Sequence, residues 1–254
     1  MISSDETTAE VTEASASHSP LAEFGRGVRH ALGYPAWVVG FSLVGVGSLA
    51  HDVGHPLAAA VLSTILVWAG PGQVIFYGGL AAGATLPALA LAVSLSSTRL
   101  LPMTVSLLPL LRRSGQGLGQ QFFLAHYVAV TVWMESQRRL PRLPAHARLP
   151  YFLGFANACL AVSAVMTGVG YVLAGALPLP LVAGLLFLSP LYFSVSIIAG
   201  ARLPADWLAF GFGLLVAPVA ARWIAGGFDL MATGLVGGTA AYLAGHLRSR
   251  RGSA

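Results

Sequence analysis

The chain has 254 residues, of which 56% are hydrophobic and only 9% charged, and its mean hydropathy is +0.76. A soluble domain carries about a quarter charged residues, so a surface of this composition is not built for water, and the sequence reads as an all-α integral membrane protein. The formal charge of +5 rests on 14 basic residues, all arginine, which gather at the ends of apolar runs and there speak for orientation in a bilayer, not for nucleic-acid binding.

Residues 1–25 hold five of the nine acids and few large apolar side chains, which predicts a disordered acidic tail. It has no basic start leading into an apolar run, so it does not read as a secretory signal. Residues 26–248 are expected to form one polytopic transmembrane domain, and 249–254 a short basic cytoplasmic tail. Apolar stretches follow at 34–50, 56–81, 86–111, 118–134, 150–176, 180–200, 204–225 and 229–247. Each has about the length a spanning helix needs at ~1.5 Å per residue. Strand-like alternation is absent, which argues against a β-barrel. Seven to eight transmembrane or re-entrant helices are therefore expected, depending on whether 118–134 spans. The arginine count ties between the two; the polarity of Gln120, Gln121, His126 and Glu135 favours a re-entrant helix, with the acidic tail outside and the C-terminus inside.

Within the second stretch, "VWAGPGQVIFYGG" sets Gly70, Pro71, Gly72 and Gln73 side by side. Pro71 lacks an N–H and clashes with the preceding turn, and the glycines admit non-helical angles, so an interrupted helix is expected here. In lipid, an interruption leaves backbone N–H groups that must find partners. At the start of the following half-helix those groups carry partial positive charge and suit a carboxylate, while Gln73 offers both a donor and an acceptor.

In the third stretch, "SLSSTRLLPM" places Arg99 inside an apolar run beside Ser94, Ser96, Ser97 and Thr98. A charge there is costly unless it faces a polar interior, an acid or an anionic ligand. In the fourth, His126 and Glu135 are candidates for proton coupling, since an intramembrane histidine titrates near neutrality. Asn157 is a further buried polar candidate. A weak internal repeat relates 86–103 to 203–220 and sets Pro71 against Pro190. Two structural repeats are therefore expected, with the second broken helix at "SPLYFS", 189–194, in the manner of secondary transporters.

The segment from Ser63 to Arg112, with Ala69, Gly70, Gln73, Arg99, Ser106, Leu107 and Pro109 at their places, resembles the AzlC family of permeases linked to branched-chain amino-acid export. The resemblance extends over about 25–225 and is that of a divergent member. Ser97 stands where the family usually has Asn, Leu100 where it often has His, and His126-Tyr127 where many members carry an acidic pair. It implies a secondary exporter of branched-chain or other apolar amino acids in the bacterial inner membrane, working with a small AzlD-type membrane subunit. Gly70, Pro71, Gly72, Gln73, Ser97 and Arg99 would then form the substrate site.

The alternative is the membrane subunit of an ATP-driven importer with a separate ATPase, because this chain has no phosphate-binding loop of its own. No enzyme is expected, since neither H-E-x-x-H nor G-x-S-x-G occurs. The one cysteine and seven scattered histidines have no metal-ligand spacing, so neither metal nor other cofactor is implied.

Overall fold

The computed structural model describes residues 19–112, 117–176, 178–200 and 204–223, together with 233, 236–240 and 243. The described residues are helical and contain no strand. In chain order the helices are α1 (Pro20–Gly33), α2 (Pro35–Asp52), α3 (Leu57–Val67), α4 (Gly70–Ala81), α5 (Leu86–Ser97) and α6 (Leu100–Leu111). They continue as α7 (Leu118–His126), α8 (Val130–Arg139), α9 (Ala145–Val172), α10 (Leu179–Gly200) and α11 (Pro204–Trp223).

Prolines open several of these helices, at Pro20, Pro35, Pro71 and Pro87, where the missing N–H is no loss and the fixed φ suits the first turn. Ser19 caps α1, its Oγ accepting from the Ala22 N–H at 3.2 Å. Tyr34 precedes Pro35, a position that disfavours helical angles; it takes φ −155°, and α1 and α2 meet there at 56°.

The chain divides into two compact units: Met1–Trp68 with Leu100–Leu188, and Ala69–Arg99 with Ser189–Ala254. In the first unit α9 is the central element, packed against α1, α2, α3, α6 and α8. Reciprocal glycines let the backbones approach: a side chain at Gly27 or Gly154 would strike the Tyr151 or Phe24 carbonyl. The same holds for Gly47 and Gly170 against the Thr167 and Val44 carbonyls. Close contact through small residues suits helices that lack a hydrophobic drive from water. The core gathers Tyr151, Phe152, Phe155 and Cys159 of α9 around Leu107, Leu111, Val132 and Leu140. In the second unit α4 and α5 pack together, and the Leu89 side chain sits directly on Gly79.

Some expectations meet the structure only in part, and others are corrected by it. By length and composition, one helix among the described residues, Ala145–Val172, can cross a membrane. The number rises to three if the broken pairs Pro20–Gly33 with Pro35–Asp52 and Leu86–Ser97 with Leu100–Leu111 each count as a span. The acidic tail ends sooner than residue 25, because α1 begins at Pro20; residues 1–18 and 249–254 lie outside the described residues. The stretch 118–134 is two short helices parted at Tyr127–Ala129 by the extended Ala129, φ −102° and ψ 158°. The second broken helix is not there: α10 runs unbroken through 189–194, and α11 through Pro218. The repeat is thus not carried into matching breaks, since α5 ends at Thr98–Arg99 where its counterpart α11 continues past Val216.

Candidate functional site

The expected interruption exists, two residues ahead of the glycines. α3 ends at Trp68, whose φ of 31° and ψ of 46° are left-handed, and Ala69 is extended at φ −137° and ψ 94°. A side chain in this region costs ~1–2 kcal/mol, and among the described residues Trp68 is the one non-glycine with positive φ. Gly70, Pro71, Gly72 and Gln73 then form the first turn of α4. Pro71 is therefore a helix starter and not the breaker. Ala69 caps without a side-chain hydrogen bond, so the α4 terminus has no side-chain oxygen turned back on its own N–H groups. The Gln73 N–H is the first to close the helix, donating to the Ala69 carbonyl at 2.9 Å, and its side chain is 1% exposed.

A connection at 82–85 follows, in which Gly83 takes φ 74° and the Ala84 N–H returns to the Gly79 carbonyl at 2.9 Å. α4 and α5 have 12 residues each and pack on one another. A short link between packed helices makes an antiparallel hairpin. Equal lengths then bring the start of α4 and the end of α5 to the same end of it. The two motifs that stand about 25 residues apart in the sequence are so brought together within one unit.

At that end the hydroxyls divide. Ser97 donates to the Val93 carbonyl at 2.8 Å and Thr98 to the Leu95 carbonyl at 2.7 Å, both back into their own helix. Ser96, only 7% exposed, is different: its Oγ has no hydrogen-bond partner among the described residues. The buried Nε of Arg99 also lacks one. Ser96 lies in the last turn of α5 and Arg99 just past its end, where the chain bends by 53° into α6. Ser97, expected on the strength of its place in the motif, has its proton committed; of the hydroxyls that cluster beside Arg99 in the sequence, Ser96 is the one buried without a partner among the described residues. Its signal in the sequence was only its place in that cluster.

The proton-coupling candidates are not together. His126 is exposed at the end of α7, edge-on to the Tyr127 ring at 5.5 Å between centroids. Glu135 on α8 is 3% exposed and fully engaged. Its Oε2 accepts from Arg139 Nε at 3.0 Å, and its Oε1 lies 3.6 Å from Arg138 and accepts from the Tyr34 hydroxyl at 3.2 Å. Burial pulls the Arg139 pKa down, but the Glu135 hydrogen bond and the electrostatic pull of Tyr151, Glu135 and Tyr34 together outweigh it and leave the pKa raised. Close by in the same unit, the Tyr151 hydroxyl and His30 Nδ1 are 2.8 Å apart, Arg26 lies over the Tyr151 ring, and Arg26 pairs with Glu23 at 2.9 Å. This interlocked cluster was visible in the sequence only as Glu135 and scattered arginines. Asn157 is half-buried, accepting from the Tyr127 hydroxyl at 3.2 Å and donating to the Leu153 carbonyl at 2.8 Å. Among the described residues no group of acids, histidines and cysteine could hold a metal.

A family model described as AzlC protein matches residues 32–177, more than half of the chain. The match takes in the hairpin, the α8 cluster and the whole of α9; it stops short of α10 and α11, where the resemblance had been expected to continue. No curated protein and no solved structure matches.

Proposed function

Because the chain belongs to the AzlC family, which is associated with amino-acid transport, we propose that it is a secondary transporter exporting branched-chain or other apolar amino acids across the bacterial inner membrane, with a small AzlD-type membrane subunit. The observation that carries this reading is the open end of the α4–α5 hairpin. There, Ser96 Oγ and Arg99 Nε are buried without partners among the described residues, and α4 begins without a side-chain cap. Arg99 and the N–H groups at the start of α4 suit the carboxylate of an amino acid. The closing carbonyls of α5, with Ser96, suit its ammonium. Gln73 offers an amide to either group.

The site works by binding and release, with no covalent chemistry. Glu135 acts first as a clamp, ion-paired with Arg138 and Arg139 of its own helix and tied to the α1–α2 junction through Tyr34; in this reading the coupling proton enters through His126 or the substrate. The chain spans the membrane several times, with seven spans and the tail outside. Single cysteines at Ser15 and Ser114 in a chain with Cys159 replaced would then be labelled from outside at position 15 alone.

Efflux of labelled leucine, valine, isoleucine, methionine and phenylalanine from loaded cells, with and without a co-expressed AzlD-type subunit, tests the function. Faster loss of the branched-chain set with both subunits, abolished by an uncoupler, supports it. Uptake that depends on an added ATPase would replace it with the importer.

A further inference from the structure

The α4 terminus is available to a ligand only because α3 stops at Trp68. If Trp68 and with it Ala69 took ordinary helical angles, α3 would run on into α4 through a kink at Pro71. The N–H groups of Gly70 and Gly72 would then bond to carbonyls one turn earlier, as that of Gln73 already does. A tryptophan has no preference for the left-handed region, so something outside the backbone must hold it there. The structure shows what does. Trp68 is 5% exposed, and its indole Nε1–H donates to Ser163 Oγ on α9 at 3.1 Å. One turn back on α3, Thr64 Oγ1 meets Thr167 Oγ1 on α9 at 2.9 Å.

Thr64, Ser163 and Thr167 are fully buried. Each threonine also reaches a carbonyl of its own helix, Thr167 that of Ser163 at 3.0 Å and Thr64 that of Ala60 at 3.4 Å, so either hydroxyl can supply the proton between them. Residues 64 and 68, and 163 and 167, are each four apart, one helical turn. The result is two rungs of an antiparallel ladder that fasten the last turn of α3 to α9. In a dry interior such bonds have no water to compete with them.

We infer that the Trp68–Ser163 and Thr64–Thr167 rungs are a latch that keeps the α3–α4 helix broken, and that Trp68 and Ser163 are positioning residues for the amino-acid site at the start of α4. This rests on the transport reading above. When the latch opens, Trp68 can relax into the helix and the carboxylate site is withdrawn, a route by which substrate release could be tied to the state of α9.

Leucine binding to the purified full-length chain, followed by calorimetry, tests the latch alongside thermal melting of the same samples. Ser163→Ala and Trp68→Phe are each expected to weaken leucine binding about tenfold, and the double variant no further than either alone, because both remove one bond. Ser163→Thr keeps the hydroxyl and should bind as wild type. Should Ser163→Ala fail to fold, Trp68→Phe carries the same test. Variants that melt lower yet bind leucine with unchanged affinity would overturn the latch. A wild-type chain that binds none of the apolar amino acids would overturn the transport reading, and the latch with it.

Discussion

A buried carboxylate and a half-buried guanidinium in this protein are treated in opposite ways. Glu135, in the first unit, has both oxygens occupied by Arg138, Arg139 and Tyr34. Arg99, in the second, has a buried Nε with no partner among the described residues, and Ser96 just before it has a buried hydroxyl in the same condition. Burying a charge is tolerable when protein groups replace the lost water. The first charge meets that condition from within the chain. The second leaves its Nε unmet among the described residues, and that demand is what a ligand would satisfy. The difference separates a structural ion cluster from a binding site more sharply than residue type does, since an acid in an apolar segment looks as functional on paper as an arginine.

The comparison can be broken by substitution. Arg99→Leu should abolish transport while leaving insertion intact, since the span only becomes more apolar. Loss of a charge-assisted grip worth ~1.5–3 kcal/mol corresponds to ~10–150-fold in affinity. Arg99→Lys should recover little, because an ammonium lacks the planar fork that meets a carboxylate. Efflux of labelled leucine measures both; normal efflux from Arg99→Leu would make Arg99 another structural charge.

Glu135→Gln should act on the other axis. It leaves two arginines facing a neutral amide and should cost ~1–3 kcal/mol of stability, seen as a lower melting temperature, while the leucine affinity of the folded fraction stays within about twofold. A lost coupling with unchanged melting would return Glu135 to the proton path.

The serines give the smallest and finest contrast. Ser96→Ala should weaken leucine binding about fivefold, the worth of one ~1 kcal/mol hydrogen bond. Ser97→Ala should change it less than twofold, because that hydroxyl is spent on Val93. The reverse order would show that the helix phase at the end of α5 has been misread.

Why some of this was legible and some not follows from the same residues. Helical architecture, the apolar runs and the two motifs are written in composition and short-range chemistry. The position of the break is not. Proline marks it in the sequence, yet Pro71 sits in a first turn where it belongs, Pro218 lies inside α11, and α10 passes through Pro190 unbroken. The residue that turns the chain is Trp68, and its angles are imposed by partners some hundred residues away on α9, which no local pattern records. The choice between Ser96 and Ser97 likewise turns on helix phase, about 100° per residue. An apolar helix with no polar face gives no clue to that phase. The cluster around Glu135 was hidden for a third reason: its partners Arg138 and Arg139 are near in sequence, but the burial that makes the pairing matter comes from packing against α6 and α9.

The central claim is that Arg99 and the start of α4 hold the carboxylate of an amino acid. Calorimetric titration of the full-length chain and its Arg99→Leu variant with leucine, leucinamide and 4-methylpentanoate addresses it most directly. The first ligand has both charged groups, the second lacks the carboxylate and the third lacks the ammonium. Leucine should bind the wild type, 4-methylpentanoate more weakly, leucinamide at least a hundredfold more weakly still, and Arg99→Leu should bind none of them. Leucinamide binding as tightly as leucine, or Arg99→Leu retaining leucine affinity, would contradict the account.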